Sequence, residues 1–243
     1  YTAWDPTSFA FVKDGSLYIG CNACCLGTGA EMYFEAYELL QKAGIDKPEY
    51  LQLGLDVCEF AMKHQAPDGS FAKSWDREGN VSVKTGTIGV FLCLPLISAY
   101  RQTGEKRYLD SAAKAFWCYY SELEEKGFTT AGALDTYSID KESASPLLRV
   151  CRKLYEVTKE DRYVVAGEKI GWYLTTWMMH FTVEYPADSV IGQMGFDTFG
   201  STAVSTPHNA LDQYALRDVL SFRWLYEKTG AIQWRERAQA LWY

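Results

Sequence analysis

Apolar residues recur every three to four positions along most of the chain, and short polar turns interrupt them. Leu109, Ala112, Ala113, Phe116, Tyr119 and Tyr120 show the period, which places them on one helix face. The pattern predicts eight helices, at 27–43, 48–65, 85–102, 106–125, 142–157, 161–179, 210–228 and 232–243. Only Ser8–Ile19, around Asp14-Gly15, reads as strand. The chain is therefore predicted to be all-α.

The helices fall into four pairs with a shared signature. The segments LLQKAGIDKPEY (39–50), AYRQTGEKRY (99–108), LYEVTKEDRY (154–163) and LYEKTGAIQW (225–234) each end one helix, turn, and open the next on an aromatic residue. Those aromatics are Tyr50, Tyr108, Tyr163 and Trp234, and four residues after each stands a small residue: Gly54, Ala112, Gly167 and Ala238. At i+4 the small residue shares the aromatic's face, where a missing side chain lets a neighbouring helix approach closely.

Turns within the pairs are short, whereas the connections ahead of the third, fifth and seventh helices are long, about 66–84, 126–141 and 180–209. Long connections without their own structure usually carry function. In stacked hairpins alternate connections lie on one face, so the three are expected to share a rim. The third helix, TIGVFLCLPLI (87–97), is apolar all round, as an inner helix would be, while the fourth is amphipathic and outer. The expected fold is a single domain over 1–243, of tandem helical hairpins forming an (α/α) toroid or part of one, with an active rim at the N-termini of the inner helices.

Composition narrows the function classes. At 48% hydrophobic and 15% aromatic, 243 residues can bury a sizeable core. Lys plus Arg number 24 against 31 Asp plus Glu, a net charge of −7 without any dense basic run, which argues against nucleic acid. No apolar stretch reaches the roughly 20 residues of a membrane span. Of the seven cysteines, Cys58, Cys93, Cys118 and Cys151 sit in helical apolar patterns as small hydrophobes, and only Cys21, Cys24 and Cys25 cluster, without a second ligand pair. A reduced, cytoplasmic protein is expected, needing no metal or cofactor. The chain opens at Tyr1 without a leader and closes at Tyr243 in what reads as mid-helix, so it is expected to be a trimmed piece. Neither a GxxxxGKS loop nor a GxSxG elbow is present.

The turn TGEKRYLDSAAKA and the loop HQAPDGSF resemble the six-hairpin glycosidase superfamily, whose members fold as (α/α)6 toroids. ALDTYSIDKESASPLL (133–148) and GSTAVSTPHNALDQYALR (200–217) are similar to a bacterial subgroup within it. The resemblance covers nearly the whole chain but implies six hairpins where four are present. It implies a carbohydrate-active protein, acting on an oligo- or polysaccharide.

Hydrolysis of a glycoside uses two carboxyls, one protonated and one ionised. The long connections offer Asp68, Asp76 and Glu78 beside Trp75, then Asp135, Asp140 and Glu142 beside Tyr137, then Glu184, Asp188, Asp197 and Asp212 beside Tyr185, Phe199 and His208. Aromatic faces stack on sugar rings and acids bind hydroxyls. Asp135, Glu142 and Asp212 are the expected catalytic carboxyls, and Trp75, Asp76, Tyr137, Asp140, Asp197 and His208 the expected sugar contacts.

Structural roles compete with several of these. Asp68-Gly69 is an ordinary turn pair, Asp140 or Ser145 can cap the fifth helix ahead of Pro146, and Asp212 can form a capping box with Asn209. His64 and His180 read as structural, and Trp172, Trp177, Trp224 and Trp242 as core. The alternatives are a polysaccharide lyase with Tyr137 and His208 catalytic, a non-catalytic carbohydrate-binding domain, an epimerase, and a zinc-dependent enzyme using Cys24 and Cys25, as in one arabinofuranosidase family of the superfamily.

Overall fold

The computed structural model describes residues 2–5, 10–13, 16–18, 21–76, 78–130, 138–206 and 211–242. They fall into two compact units, within residues 1–137 and 138–243.

The first unit opens on β1 (Thr2–Asp5), β2 (Ala10–Lys13) and β3 (Ser16–Tyr18), an antiparallel meander in which Lys13 pairs with Ser16. The strand pattern expected over Ser8–Ile19 corresponds to β2 and β3, two antiparallel strands, and Asp14-Gly15 lies outside the described residues. Next, β4 (Cys21–Asn22) leads into α1 (Ala23–Lys42), with Asn22 as N-cap accepting from the Cys25 N–H at 2.8 Å. Then come α2 (Pro48–Lys63), with proline in its first turn, and the hairpin of β5 (Ser74–Trp75) and β6 (Val81–Val83). α3 (Cys93–Thr103), α4 (Lys106–Lys126) and β7 (Thr129–Thr130) complete the unit.

The helix expected over 85–102 is corrected to a 3-10 turn at Ile88–Leu92 followed by α3. Pro95 cannot donate to the Phe91 carbonyl, so a continuous α-helix through that point is disfavoured, whereas the first turn of α3 tolerates it. The Phe91 carbonyl also lies 2.4 Å from where a Cβ on Gly27 would stand, so α1 sits directly against the 3-10 turn. The small sheet β4–β5–β6, whose strands run only two or three residues, has no counterpart among the elements the sequence pattern predicts. It joins the connections ahead of α1 and α3 at the N-terminal ends of those two helices.

The second unit contains β8 (Ile139–Asp140), α5 (Ala144–Thr158), α6 (Arg162–Thr175), the short α7 (Val190–Gln193), a 3-10 turn at Gln213–Asp218, α8 (Val219–Thr229) and α9 (Ile232–Trp242). The helix expected over 210–228 is therefore also split, with Asp212 capping its 3-10 part.

The repeated aromatic-plus-small signature does what its spacing implies. Tyr108, Tyr163 and Trp234 are buried. A Cβ on Gly54 would stand 2.8 Å from the Phe34 ring, and one on Gly167 would stand 2.9 Å from Trp224, so α2 closes on α1 at Gly54 and α6 closes on α8 at Gly167. Cys58, Cys93 and Cys151 are buried, and burial pushes their thiols above the ordinary range, so they act as apolar filler. Two tryptophans expected in the core are not there: Trp172 is exposed and lies against Trp234 and Arg237, and Trp242 is exposed. No described helix is long and apolar enough to cross a membrane.

Candidate functional site

In the second unit, the connections ahead of α5 and α8 meet at the N-terminal ends of those helices. Asp140 bridges Ser205, the Lys141 N–H donates to the Val204 carbonyl at 3.1 Å, and the Thr206 N–H donates to the Ile139 carbonyl at 3.0 Å. The Asp212 N–H in turn donates to the Thr202 carbonyl at 2.8 Å, so residues 139–141, 202–206 and 211–212 form one backbone-bonded cluster.

A buried ion pair ties the cluster together. Lys141 Nζ lies 2.5 Å from Asp212 Oδ2, with side chains 1% and 6% exposed. Oδ1 of Asp212 accepts the Tyr214 N–H at 2.8 Å, so both carboxylate oxygens are engaged. The Ser145 hydroxyl donates to Oδ1 of the fully buried Asp218. Burial pushes the Asp218 carboxyl above the usual carboxylate range. Lys141, the Ser145 hydrogen bond and Arg149 oppose the rise, and Asp212 adds to it. Tyr173 donates its hydroxyl to the Asp140 carbonyl at 2.5 Å, holding this segment from α6.

A raised carboxylate in the folded state favours protonation there. Its contribution to stability is present below the unfolded value, about 3.9, and is lost as pH climbs through the raised folded value. Asp218→Asn removes that dependence and keeps an acceptor for Ser145. The variant is expected to gain stability relative to the wild type as pH rises from about 4 towards neutrality, measured by urea unfolding at each pH. A pH-independent difference would place the titration elsewhere.

Of the expected site residues, Asp140 and Asp212 belong to this cluster, and Glu142 follows Lys141 directly in the chain. Asp140 is buried and lies in β8, and Glu142 is half-buried in the turn leading into α5. The capping expectation for α5 is corrected. The N-cap position of α5 is Ser143, with no side-chain cap bond, while Asp140 lies in β8 and the Ser145 hydroxyl donates to Asp218. Asp212 caps its own 3-10 turn, and the capping box expected with Asn209 falls outside the described residues. Asp135, Tyr137 and His208, and with them Asn209, lie outside the described residues.

Asp197 is exposed on the 178–202 connection, where Oδ1 accepts from Thr182 Oγ1 at 2.5 Å and the Phe199 N–H at 2.8 Å, bonds that hold its carboxyl below the usual range. Asp76 belongs to the first unit and closes the β5–β6 hairpin, accepting from the Asn80 N–H at 2.7 Å. Trp75 is completely buried there against Phe60 and His64, so its ring offers no open face to a sugar. His64 lies 2.8 Å from the Phe60 carbonyl and is structural, as expected, and Asp68 accepts from Ser70 in a turn. Among the described residues, no group of three or more His, Cys, Asp or Glu is placed to hold a metal ion.

Lys141 and Asp218 were missed by sequence reasoning, and Ser145 was taken for a cap. The signal lay in the helical period. Ala215, Asp218, Phe222 and Leu225 are buried at helical spacing, and Lys141, just ahead of α5, is buried with Ser145 and Leu148. An acid and a base each interrupting an apolar stripe are expected to find each other or another partner.

No protein-family model and no curated protein matches the sequence. Solved structures do resemble it. A GH76 α-mannanase from Bacteroides thetaiotaomicron aligns over 90% of this chain and 56% of its own, at 16% identity and a TM-score of 0.62. A D-mannose isomerase aligns over 98% and 64%, at 10% identity and 0.64. A cellobiose 2-epimerase from Bacillus thermoamylovorans aligns over 92% and 75%, at 15% identity and 0.54. The chain thus spans less than two thirds of the mannanase and of the isomerase. These likenesses concern the arrangement of helices, and on them the chain has an (α/α)-toroid type of helical-hairpin fold.

Proposed function

We propose that the chain acts on carbohydrate, as a glycoside hydrolase whose carboxyls stand on the connections ahead of α5 and α8. The observation that carries this reading is the joining of those connections by the Lys141–Asp212 ion pair and the 139–141/204–206 backbone bonds. It brings the segments bearing Glu142 and Asp212 to one place from residues 70 apart in sequence. Asp212, ion-paired and fixed at both oxygens, is the ionised member. Glu142, half-buried in a turn, is the proton donor, and Asp135 is a further carboxyl of the same connection. The likeness to an α-mannanase, a mannose isomerase and a cellobiose epimerase supports a sugar as substrate.

Epimerisation or isomerisation is the second reading, favoured by two of those three likenesses. The scarcity of histidine weighs against it: the chain has three, and of the two among the described residues His64 is packed among aromatics and His180 is exposed. The test is incubation with a panel of glycosides and polysaccharides, read for reducing ends, for unsaturated product by ultraviolet absorbance, and for epimerised sugar by chromatography. Reducing ends alone are expected, and Glu142→Gln should lower their rate about a hundredfold without changing the circular dichroism spectrum. Full activity in both Glu142→Gln and Asp212→Asn would overturn the assignment. Unsaturated product would move it to a lyase.

A further inference from the structure

The connection between α6 and α8 is not a loose loop. From Met178 to Thr202 it doubles back on itself as an arm. Met178 bridges Thr202, the Met179 N–H donates to the Ser201 carbonyl at 2.8 Å, and the Gly200 N–H donates to the Met179 carbonyl at 2.9 Å. Further out, Thr198 is fully buried. Its hydroxyl accepts the Val183 N–H at 2.8 Å and donates to the Phe181 carbonyl at 3.0 Å. Gly200, at φ +84°, sits where a Cβ would meet the Ala240 carbonyl of α9 at 2.3 Å, which seats the base of the arm. The tip has its own order: Ser189 caps α7, accepting the Gly192 N–H at 3.0 Å.

This fixed backbone carries large apolar side chains in water. Phe181 is 63% exposed, Phe199 51%, Phe196 42% and Met194 74%. Several exposed rings carried on one ordered arm point to a binding surface. Its charge states what kind. From Ile170 to Leu216 there is no Lys or Arg, while the arm holds Glu184, Asp188 and Asp197. Asp197 lies between Phe196 and Phe199, and its Oδ2 makes no bond among the described residues. Aromatic faces interleaved with carboxylates, and no cation, match the C–H faces and hydroxyls of neutral sugars and repel uronates or sulfated glycans.

The arm also adjoins the proposed site. Thr202 at its base accepts from the Asp212 N–H, and Phe199 is three residues away, at most about 10 Å of chain. Resting on the carbohydrate reading above, we infer that residues 178–202 are a substrate-binding arm that stacks successive units of a neutral oligosaccharide on Phe181, Phe196 and Phe199. The substrate is then a chain of several sugars rather than a single one.

The experiment titrates the full chain, and its Phe181→Ala/Phe199→Ala variant, with neutral manno- and gluco-oligosaccharides of increasing length and with oligogalacturonate of matched length. Wild-type affinity is expected to rise with length for the neutral series and to be absent for the uronate. The variant should lose about tenfold on the long neutral chains, the size expected of two stacking contacts, and nothing on monosaccharide. Both rings are exposed, so folding should be unaffected, as thermal melting would check. Equal binding by variant and wild type overturns the arm and leaves the carbohydrate reading intact, as does preference for the uronate. Unchanged glycan binding together with lost self-association in sedimentation would make the rings a protein interface, again overturning the arm. Wild-type protein that binds no glycan of any length removes both readings at once.

Discussion

Replacing Lys141 with Met will destabilise the second unit by about 3–5 kcal/mol, the usual cost of leaving a buried charge without its partner. Lys141 is 1% exposed and its ammonium is 2.5 Å from Asp212, which is itself only 6% exposed. Without the lysine, Asp212 stays buried with a single backbone donor, Tyr214, and Asp218 loses one of the influences that hold its carboxyl down. The partner mutation separates burial from pairing. Lys141→Met with Asp212→Leu should recover most of the loss, because an apolar pair of similar volume needs no desolvation. Recovery stays short by about 1 kcal/mol, since the Asp212 cap on Tyr214 is gone. Urea unfolding at neutral pH measures all three. A single-mutant loss below about 1 kcal/mol would mean that the pair behaves as a solvated surface bridge.

Gly89→Ala is the second large effect, at about 3 kcal/mol or more, combining overpacking with broken buried hydrogen bonds. A Cβ at Gly89 would fall 2.0 Å from the Tyr119 hydroxyl and 2.7 Å from the Phe71 carbonyl. That hydroxyl accepts the Phe71 N–H at 2.7 Å and donates to the Phe71 carbonyl at 3.1 Å, so one phenol satisfies both backbone groups of a buried residue. The added methyl displaces the phenol and strands them. In a Tyr119→Phe background, Gly89→Ala should cost less, because the closest clash is gone, although contact with the Phe71 carbonyl remains. Thermal melting of the four proteins gives the coupling. Additive losses would show that Tyr119 and Gly89 do not share this contact.

These two positions show where a sequence is readable and where it is not. Gly54 and Gly167 were legible because they recur at the same distance from an aromatic residue, and a repeat reveals itself without coordinates. Gly89 has no such copy. Its importance comes from Tyr119 and Phe71, brought to it by packing of α4 and of the connection after α2. Similarly, Asp212 stood out as an acid in a long connection, yet nothing local shows that Lys141 is its partner. Trp75 had an acid beside it and looked open to a sugar, but its neighbours in space are Phe60 and His64.

By itself the sequence determined that the chain is a series of paired helices, with helix ends mostly within a few residues of those observed. Helical period, short turns and the aromatic-plus-small signature are all local, and local patterns survive without knowledge of the fold. It also determined which connections are long and therefore hold the candidate carboxyls. Only the tertiary structure decided that two of these connections close on a buried Lys141–Asp212 pair. It also decided that Ile88–Leu92 and Gln213–Asp218 are 3-10 turns, and that residues 178–202 form an ordered arm with exposed rings. Burial and charge pairing depend on which distant segments meet, and that is set by packing of the whole unit rather than by any window of the chain.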